Sequence, residues 1–168
     1  MAKMILMTGR CGAGKTEFVQ KFLKENPNYD VFCPDDYYAE YNGDERDRSN
    51  TFLVWMTMYV GINAAMRDGR DIIIDTNSPT ETMREQFIDW FPNFDEYELI
   101  YILTPYTICN KNNSTRYRKI PQERFDELFS NYKSPFDDRS LKRWDSILVY
   151  MNDGKNFKLK ESIKPKLI

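Results

Sequence analysis

The feature that most restricts the fold is the segment "GRCGAGKT", which covers Gly9 to Thr16. It follows a short apolar run, "MILMT", and precedes "KTEFVQKFLKE", whose apolar residues recur at helical spacing. Glycine, four residues and then Gly-Lys-Thr, set between a strand and a helix, are typical of a loop that binds nucleotide phosphates. We therefore expect a strand, a phosphate-binding loop and a helix over residues 4–25.

The residues of this loop have distinct expected roles. Lys15 is expected to reach the outer phosphates, and the Thr16 hydroxyl is expected to bind Mg²⁺. The expected nucleotide is ATP, with GTP left open. The residues expected to bind it are Gly9, Arg10, Cys11, Gly12, Ala13, Gly14, Lys15 and Thr16.

Apolar runs and helical patterns alternate along all 168 residues. The runs "YDVFC", "DIIID", "YELIYIL" and "SILVY" predict four further strands. The alternation predicts a single α/β domain over residues 1–168, with a parallel sheet of about five strands and helices on both faces. The Lys-rich tail, about residues 152–168, has no clear pattern.

One long helical pattern carries a stripe of large apolar side chains. The residues that share this face are Phe52, Trp55, Tyr59, Ile62 and Met66. A stripe with this period predicts the core-facing side of a helix rather than a surface on which bases stack.

Polar motifs follow two of the strands, at the edge where parallel sheets bind ligands. Asp35 and Asp36 follow the second strand, and one of them could accept the proton of an acceptor hydroxyl, because the sequence has no histidine. Asp75 and Asn77 follow the third, where a carboxylate can orient Mg²⁺ or its water, or hydrogen-bond an acceptor. A helix cap or a turn is the alternative for both motifs.

Two basic segments are open to more than one interpretation. An arginine of "STRYRK", such as Arg116 or Arg118, could neutralise a transferring phosphoryl group, or the segment could be a solvated loop. Arg46 and Arg48 could contact acceptor phosphates or pair with the acidic residues around them. Spacing alone does not separate these alternatives.

Composition restricts the partners. The net charge is −2, so nucleic acid would have to bind through a local basic patch. Cys11, Cys33 and Cys109 lack metal-ligand spacing and are expected to be reduced thiols of a cytoplasmic protein. No apolar run reaches the about 18 residues that span a membrane, so no membrane contact is expected. The sequence gives no signal for oligomeric state.

Taken in order, these motifs resemble the kinase domain of the phage polynucleotide 5′-hydroxyl kinase family. The segments that carry the resemblance span nearly the whole chain; they are "MILMTGRCGAGKT", "ENPNYDVFCPDDYY", "DIIIDTN", "NNSTRYRKIP" and "SPFDDRSLKRWDSILVY". The resemblance implies transfer of the γ-phosphoryl group of ATP to the 5′-hydroxyl end of DNA or RNA, as in nucleic-acid repair. For a phage-encoded protein, it implies the host cytoplasm.

The resemblance also implies roles for single residues. Asp35 becomes the general base, while Lys15 and Thr16 bind phosphate and Mg²⁺. Arg116 becomes the arginine of a lid, about residues 110–121, that contacts the donor phosphates. Asp75 becomes a carboxylate near the acceptor, and Asp35 or Asp75 could also reach Mg²⁺ through water.

The acceptor site departs from the family pattern. The family has an arginine one residue after "DDY" that contacts the acceptor's phosphate, and this sequence has Tyr38 there. Tyr38 remains a candidate acceptor contact, and Arg46 or Arg48 could replace the arginine, or the acceptor could be smaller. The alternatives are a kinase for a nucleoside, nucleotide or sugar, and a nucleotide-dependent switch that hydrolyses ATP slowly.

Overall fold

A six-stranded sheet forms the centre of the part of the chain that the computed structural model describes, residues 1–167. The strands are β1 (Lys3–Thr8), β2 (Asp30–Phe32), β3 (Ile72–Ile74), β4 (Glu96–Leu103), β5 (Ser146–Asn152) and β6 (Phe157–Ile163). Their order across the sheet is β2-β3-β1-β4-β5-β6. The first five are parallel, and β6 pairs antiparallel with β5. The predicted α/β class and parallel sheet are confirmed.

Helices cover both faces of the sheet. They are α1 (Lys15–Glu25), α2 (Pro34–Asn42), α3 (Thr51–Arg67), α4 (Glu81–Trp90), α5 (Tyr106–Thr115) and α6 (Gln122–Asn131). Short 3₁₀ turns follow at Pro135–Asp137, Leu141–Arg143 and Pro165–Leu167. In the described part of the chain, no helix has the length and hydropathy needed to cross a membrane.

Alternate residues of β1 face two separate cores, as the two-residue period of a strand requires. The core beneath α3 and α4 includes Met4, Leu6, Met58, Ile62 and Phe87. The core beneath α1, α5 and α6 includes Ile5, Met7, Phe18, Cys109 and Phe125. Because both faces of β1 are buried, this strand is apolar from Met4 to Met7, and it fixes the loop that follows it between the two helical layers.

The predicted core face of α3 is wrong for most of its length. The side chains that α3 buries are Val54, Met58, Ile62 and Ala65. Phe52 is 79% exposed and Tyr59 is 41% exposed, while Trp55 and Met66 are partly buried. Because apolar residues surround this helix, a second stripe at helical spacing competes with the first, and packing on the sheet selects it.

Two elements lie where the sequence predicted none. The "NNST" part of the expected lid belongs to α5, so only its second half is irregular. The Lys-rich tail forms β6, which is the sixth strand, where about five were expected.

Candidate functional site

The phosphate loop connects β1 to α1 in a backbone path that needs glycine. Gly12 has φ 74°, and a Cβ atom there would lie 2.4 Å from the carbonyl oxygen of Cys109. Gly14 has φ 92° and is the N-cap of α1. A side chain at either glycine would therefore strain the backbone, and one at Gly12 would also push α5 away from the loop.

Three side chains from distant elements hold this loop. Thr104 Oγ1 and Asn152 Nδ2 donate hydrogen bonds to the carbonyl of Ala13, at 2.8 and 2.9 Å. Asn112 Nδ2 donates to the carbonyl of Gly12 at 2.8 Å. None of the three was predicted from the sequence. Their only sequence signal is that Thr104 and Asn152 lie at the carboxyl ends of two apolar strands, where a parallel sheet binds ligands.

Lys15 is buried beneath its own loop. Its Nζ atom donates to the carbonyl oxygens of Gly9 at 3.0 Å and Arg10 at 2.9 Å. Burial lowers the pKa of Lys15 from 10.5 to about 8, and the carboxylate of Asp75 opposes this shift. The side chain is thus held in the loop by carbonyl groups that a phosphate can replace.

Thr16 and Asp75 lie side by side next to the phosphate loop. The Thr16 hydroxyl donates a hydrogen bond to Asp75 Oδ2 at 2.7 Å. Asp75 is 6% exposed, and burial raises the pKa of its carboxyl group. A hydroxyl and a carboxylate are hard oxygen donors, so this pair fits Mg²⁺, directly or through water.

Asp35 lies in the first turn of α2 with two arginines beside it. Arg48 Nη2 lies 2.6 Å and Arg118 Nη1 lies 3.4 Å from its Oδ1 atom. The Arg48 guanidinium also lies 4.2 Å from the ring centre of Tyr38. Tyr38 is 4% exposed, and its hydroxyl donates to Thr51 Oγ1 at 2.9 Å. The Tyr38 ring therefore packs against the Arg48 guanidinium and holds it next to the Asp35 carboxylate.

One cleft of about 610 Å³ joins these groups. The predicted site residues that line it are Gly12, Ala13, Gly14, Lys15, Thr16, Asp35, Tyr38, Asp75, Asn77 and Arg116. Arg48, Asp36 and Arg118 also line it. The cleft thus collects the phosphate loop, both polar motifs and the basic segment after α5, as expected for the carboxyl edge of a parallel sheet.

Four predicted site residues have side-chain or backbone contacts elsewhere. Arg46 forms an ion pair with Asp44, and its guanidinium lies 4.4 Å from the centre of the Tyr117 ring. Arg10 lies on the ring of Phe129 in α6, at 4.4 Å. Cys11 is buried, and the backbone N–H of Gly9 donates to the carbonyl of Asn77 at 3.4 Å.

Solved structures of several kinds share this fold. A chain of the Pnkp1/Rnl/Hen1 RNA repair complex has a TM-score of 0.69 at 15% identity, covering 77% of this chain and 43% of that one. A sugar kinase from Janibacter sp. HTCC2649 has a TM-score of 0.61 at 14% identity, covering 90% and 86%. Deoxyadenosine kinase from M. mycoides with bound dATP has a TM-score of 0.52 at 18% identity, covering 91% of each chain.

These comparisons establish a kinase-like P-loop fold, and the two neighbours named as kinases, a sugar kinase and a deoxyadenosine kinase, have different acceptors in their names. The chain spans less than half the length of the repair-complex chains it matches, at 43% and 41%. No curated protein matches its sequence. The AAA domain family, however, matches residues 4–135, which is most of the chain, and the protein belongs to that family.

Proposed function

We propose that the protein transfers the γ-phosphoryl group of ATP to the 5′-hydroxyl end of a polynucleotide, DNA or RNA. The observation that carries the proposal is the contact of Asp35 with Arg48 at 2.6 Å and Arg118 at 3.4 Å, in the same cleft as the phosphate loop. A carboxylate suits a hydroxyl that must lose its proton, and guanidinium groups suit phosphate. A polynucleotide end offers both groups within one nucleotide.

The phosphate loop and Lys15 bind the donor in this proposal. The Lys15 ammonium, which now contacts two loop carbonyls, would move to the outer phosphates. Mg²⁺ bound beside Thr16 would neutralise charge on the β- and γ-phosphates. Asp75 accepts the hydrogen of the Thr16 hydroxyl, which turns the lone pairs of that oxygen away from the carboxylate and toward the metal.

Asp35 is the group we assign to the acceptor proton. Both arginines contact its Oδ1 atom, so Oδ2 is the oxygen that we assign to the incoming hydroxyl. The proton moves from the 5′-hydroxyl to this carboxylate as the oxygen attacks phosphorus. Arg116, which lines the cleft just after α5, is assigned to the donor phosphates.

Arg48 replaces Arg46 as our candidate for the acceptor phosphate. Arg48 lines the cleft and lies on Tyr38, whereas Arg46 pairs with Asp44. Asn77 and Tyr38 remain acceptor-side candidates, and the exposed side chain of Asn77 is free to reach a ligand in the cleft.

A small-molecule kinase is the second candidate, and two contacts favour it. Arg46 in the loop after α2 lies against Tyr117 in the lid, and Arg118 of the lid reaches Asp35. These contacts cross the mouth of the cleft and would leave less room for a chain than for a nucleoside or a sugar. The similarity to a sugar kinase and a deoxyadenosine kinase is consistent with this alternative.

Transfer of labelled γ-phosphate tests the proposal. The acceptors are a 5′-hydroxyl DNA oligonucleotide, the matching RNA, and free nucleosides and sugars, each with ATP and Mg²⁺. Asp35→Asn should lower kcat on the oligonucleotide by about a hundredfold or more, because it removes the base. Asp47→Asn, in the exposed loop nearby, is the matched control and should keep full activity.

Each outcome has a distinct meaning. Label on an oligonucleotide end that is lost in Asp35→Asn supports the proposal. Label on nucleosides or sugars alone would support phosphoryl transfer but show that the acceptor is a small molecule. ATP binding or slow hydrolysis with no labelled acceptor contradicts a kinase role and favours the nucleotide-dependent switch.

A further inference from the structure

A fully buried ion pair lies outside the cleft. Arg84 of α4 is 0% exposed, and the Asp138 side chain is 2% exposed. Arg84 Nε donates to Asp138 Oδ2 at 2.7 Å, and its Nη2 donates to Oδ1. Removing two charges from water opposes folding, so such a pair is poor evidence for a purely stabilising role.

The third donor of Arg84 reaches the turn that carries Asp75. Arg84 Nη1 donates to the carbonyl of Ser78 at 2.8 Å, and Thr8 Oγ1 donates to the same carbonyl at 3.0 Å. Ser78 has φ 41°, a left-handed conformation that a residue with a side chain adopts only under constraint. The turn Asp75–Ser78 is thus held in an unfavourable backbone conformation by contacts from both sides.

The inner side of this turn is joined to the start of the phosphate loop. The carbonyl of Asn77 accepts hydrogen bonds from the Gly9 backbone at 3.4 Å and from Thr8 Oγ1 at 3.3 Å. Thr8 ends β1, directly before the loop, and its hydroxyl also lies 2.9 Å from the Tyr132 hydroxyl.

The outer side is covered by the chain after α6. Lys133 donates its backbone N–H to the carbonyl of Pro79 at 2.9 Å, and Ser140 donates its own to Glu81 Oε1 at 2.8 Å. Asp138 lies between these contacts and beyond residues 4–135, the part that the AAA domain family matches. A segment outside the matched region therefore supplies the partner of Arg84.

We propose that Arg84 and Asp138 form a positioning pair for the acceptor side of the site. The pair fixes the Asp75–Ser78 turn, and with it the Asp75 carboxylate and Asn77, relative to the phosphate loop. The inference rests on the proposed function for its kinetic consequence. Neither residue lines the cleft; Asp138 holds Arg84, and Arg84 acts through the Ser78 carbonyl.

The test replaces the pair without leaving a buried charge. Arg84→Met combined with Asp138→Leu should fold, since an apolar pair of similar volume commonly substitutes for a buried ion pair. Nucleotide affinity measured without Mg²⁺ should be nearly unchanged, because Thr104, Asn112 and Asn152 hold the phosphate loop independently of the turn. The kcat for transfer to a 5′-hydroxyl oligonucleotide should fall by about tenfold or more, because the turn loses its fixed position.

A surface pair that joins the same elements is the matched control. Arg143 Nη2 contacts Asp89 Oδ1 of α4 at 2.5 Å, with both side chains at least one third exposed. Arg143→Met with Asp89→Leu should keep wild-type kcat. Arg84→Lys keeps the buried charge but not the three-donor fork, so it gives a second variant that should fold and show the same loss of kcat.

Hydrogen exchange of the backbone amides of residues 75–78 gives a readout that does not depend on the acceptor. Exchange there should be faster in the double variant, with exchange of β1 and α1 unchanged. Wild-type kcat in a folded double variant, or unchanged exchange of the turn, would overturn the positioning role. Absence of transfer by the wild type would instead contradict the proposed function and leave hydrogen exchange as the test of the pair.

Discussion

The charge of Lys15 depends on its surroundings. It is buried beneath the phosphate loop, and burial lowers its pKa to about 8, although the Asp75 carboxylate favours the ammonium form. A phosphate in the loop would favour the charged form further, because an opposite charge nearby raises the pKa of a lysine. Above the pKa of Lys15 in the free protein, about 8, nucleotide binding should therefore be accompanied by uptake of a proton.

We expect nucleotide affinity to fall as the pH rises above about 8, by up to about tenfold per pH unit, because the free protein must then first be protonated. Calorimetric titrations from about pH 7 to about pH 9.5, in two buffers of different ionisation enthalpy, would measure both the Kd and the proton uptake. Lys15→Arg should bind more weakly but without this dependence, since guanidinium stays charged. A constant Kd in the wild type would contradict the prediction.

Gly12 and Gly43 have nearly the same φ angle, so substituting each with alanine distinguishes the cost of backbone strain from the cost of a steric collision. Gly12 has φ 74° and lies against the Cys109 carbonyl, whereas Gly43 has φ 75° and has no atom of the described chain within 4 Å of a Cβ. Gly43→Ala should lower the free energy of unfolding by about 1–2 kcal/mol, the cost of a left-handed conformation. Gly12→Ala should lower it further and abolish nucleotide binding, because the loop or α5 must move. Urea unfolding and nucleotide titration of both variants would measure the difference; equal losses would contradict the collision.

At the scale of elements, the five parallel strands were predicted from the sequence, whereas α5 and the antiparallel strand β6 were not. Each parallel strand is a short apolar run bounded by polar residues, a pattern that is visible in the sequence. α5 buries only Cys109 and Asn113, and the Asn113 amide hydrogen-bonds both backbone groups of Ile120, so a tertiary contact stabilises this polar helix. β6 is exposed over most of its length and forms by pairing with β5. Phe157, Leu159 and Ile163 alternate with polar residues, but this short signal lies within a Lys-rich tail and was not recognised as a strand.

The face of α3 gives a prediction that compares its two stripes. Met58 is 1% exposed in the core, and Phe52, on the stripe that the sequence favoured, is 79% exposed. Met58→Ala should lower the free energy of unfolding by about 2–5 kcal/mol through lost burial and a cavity. Phe52→Ser should change it by less than about 0.5 kcal/mol, as at an ordinary surface position. Urea midpoints would measure both, and a large loss in Phe52→Ser would mean that this side chain is covered in solution.

For the whole molecule, folding creates an acceptor side that no single segment of the sequence contains. Asp35 comes from α2, Arg48 from the loop before α3, and Arg118 from the segment after α5. The sequence named Asp35 because its position after a strand is a local signal. The sequence does not distinguish Arg46 from Arg48, because their roles depend on the contacts that each guanidinium makes in the folded protein.

The positive charge of Arg48 can be tested for its role in acceptor binding. The protein carries a net charge of −2, so attraction of a polynucleotide depends on a few local guanidinium groups. If Arg48 contacts an acceptor phosphate, Arg48→Gln should lower kcat/KM for a 5′-hydroxyl oligonucleotide by about tenfold or more, because one charged hydrogen bond is lost. It should also reduce the salt dependence of acceptor binding by about one counterion, whatever the base sequence.

Arg46→Gln is the matched control, because Arg46 lies two residues away in the same exposed loop and pairs with Asp44. It should leave the salt dependence of acceptor binding close to that of the wild type, because Arg46 pairs with Asp44 rather than with Asp35. Kinetics and binding measured between about 50 and 200 mM salt would separate the two variants, since electrostatic contacts weaken over this range. Equal effects of the two substitutions would mean that the loop contributes general positive charge rather than a placed contact. An effect of Arg48→Gln that is equally large for an uncharged nucleoside acceptor would assign Arg48 to holding Asp35 instead of binding phosphate.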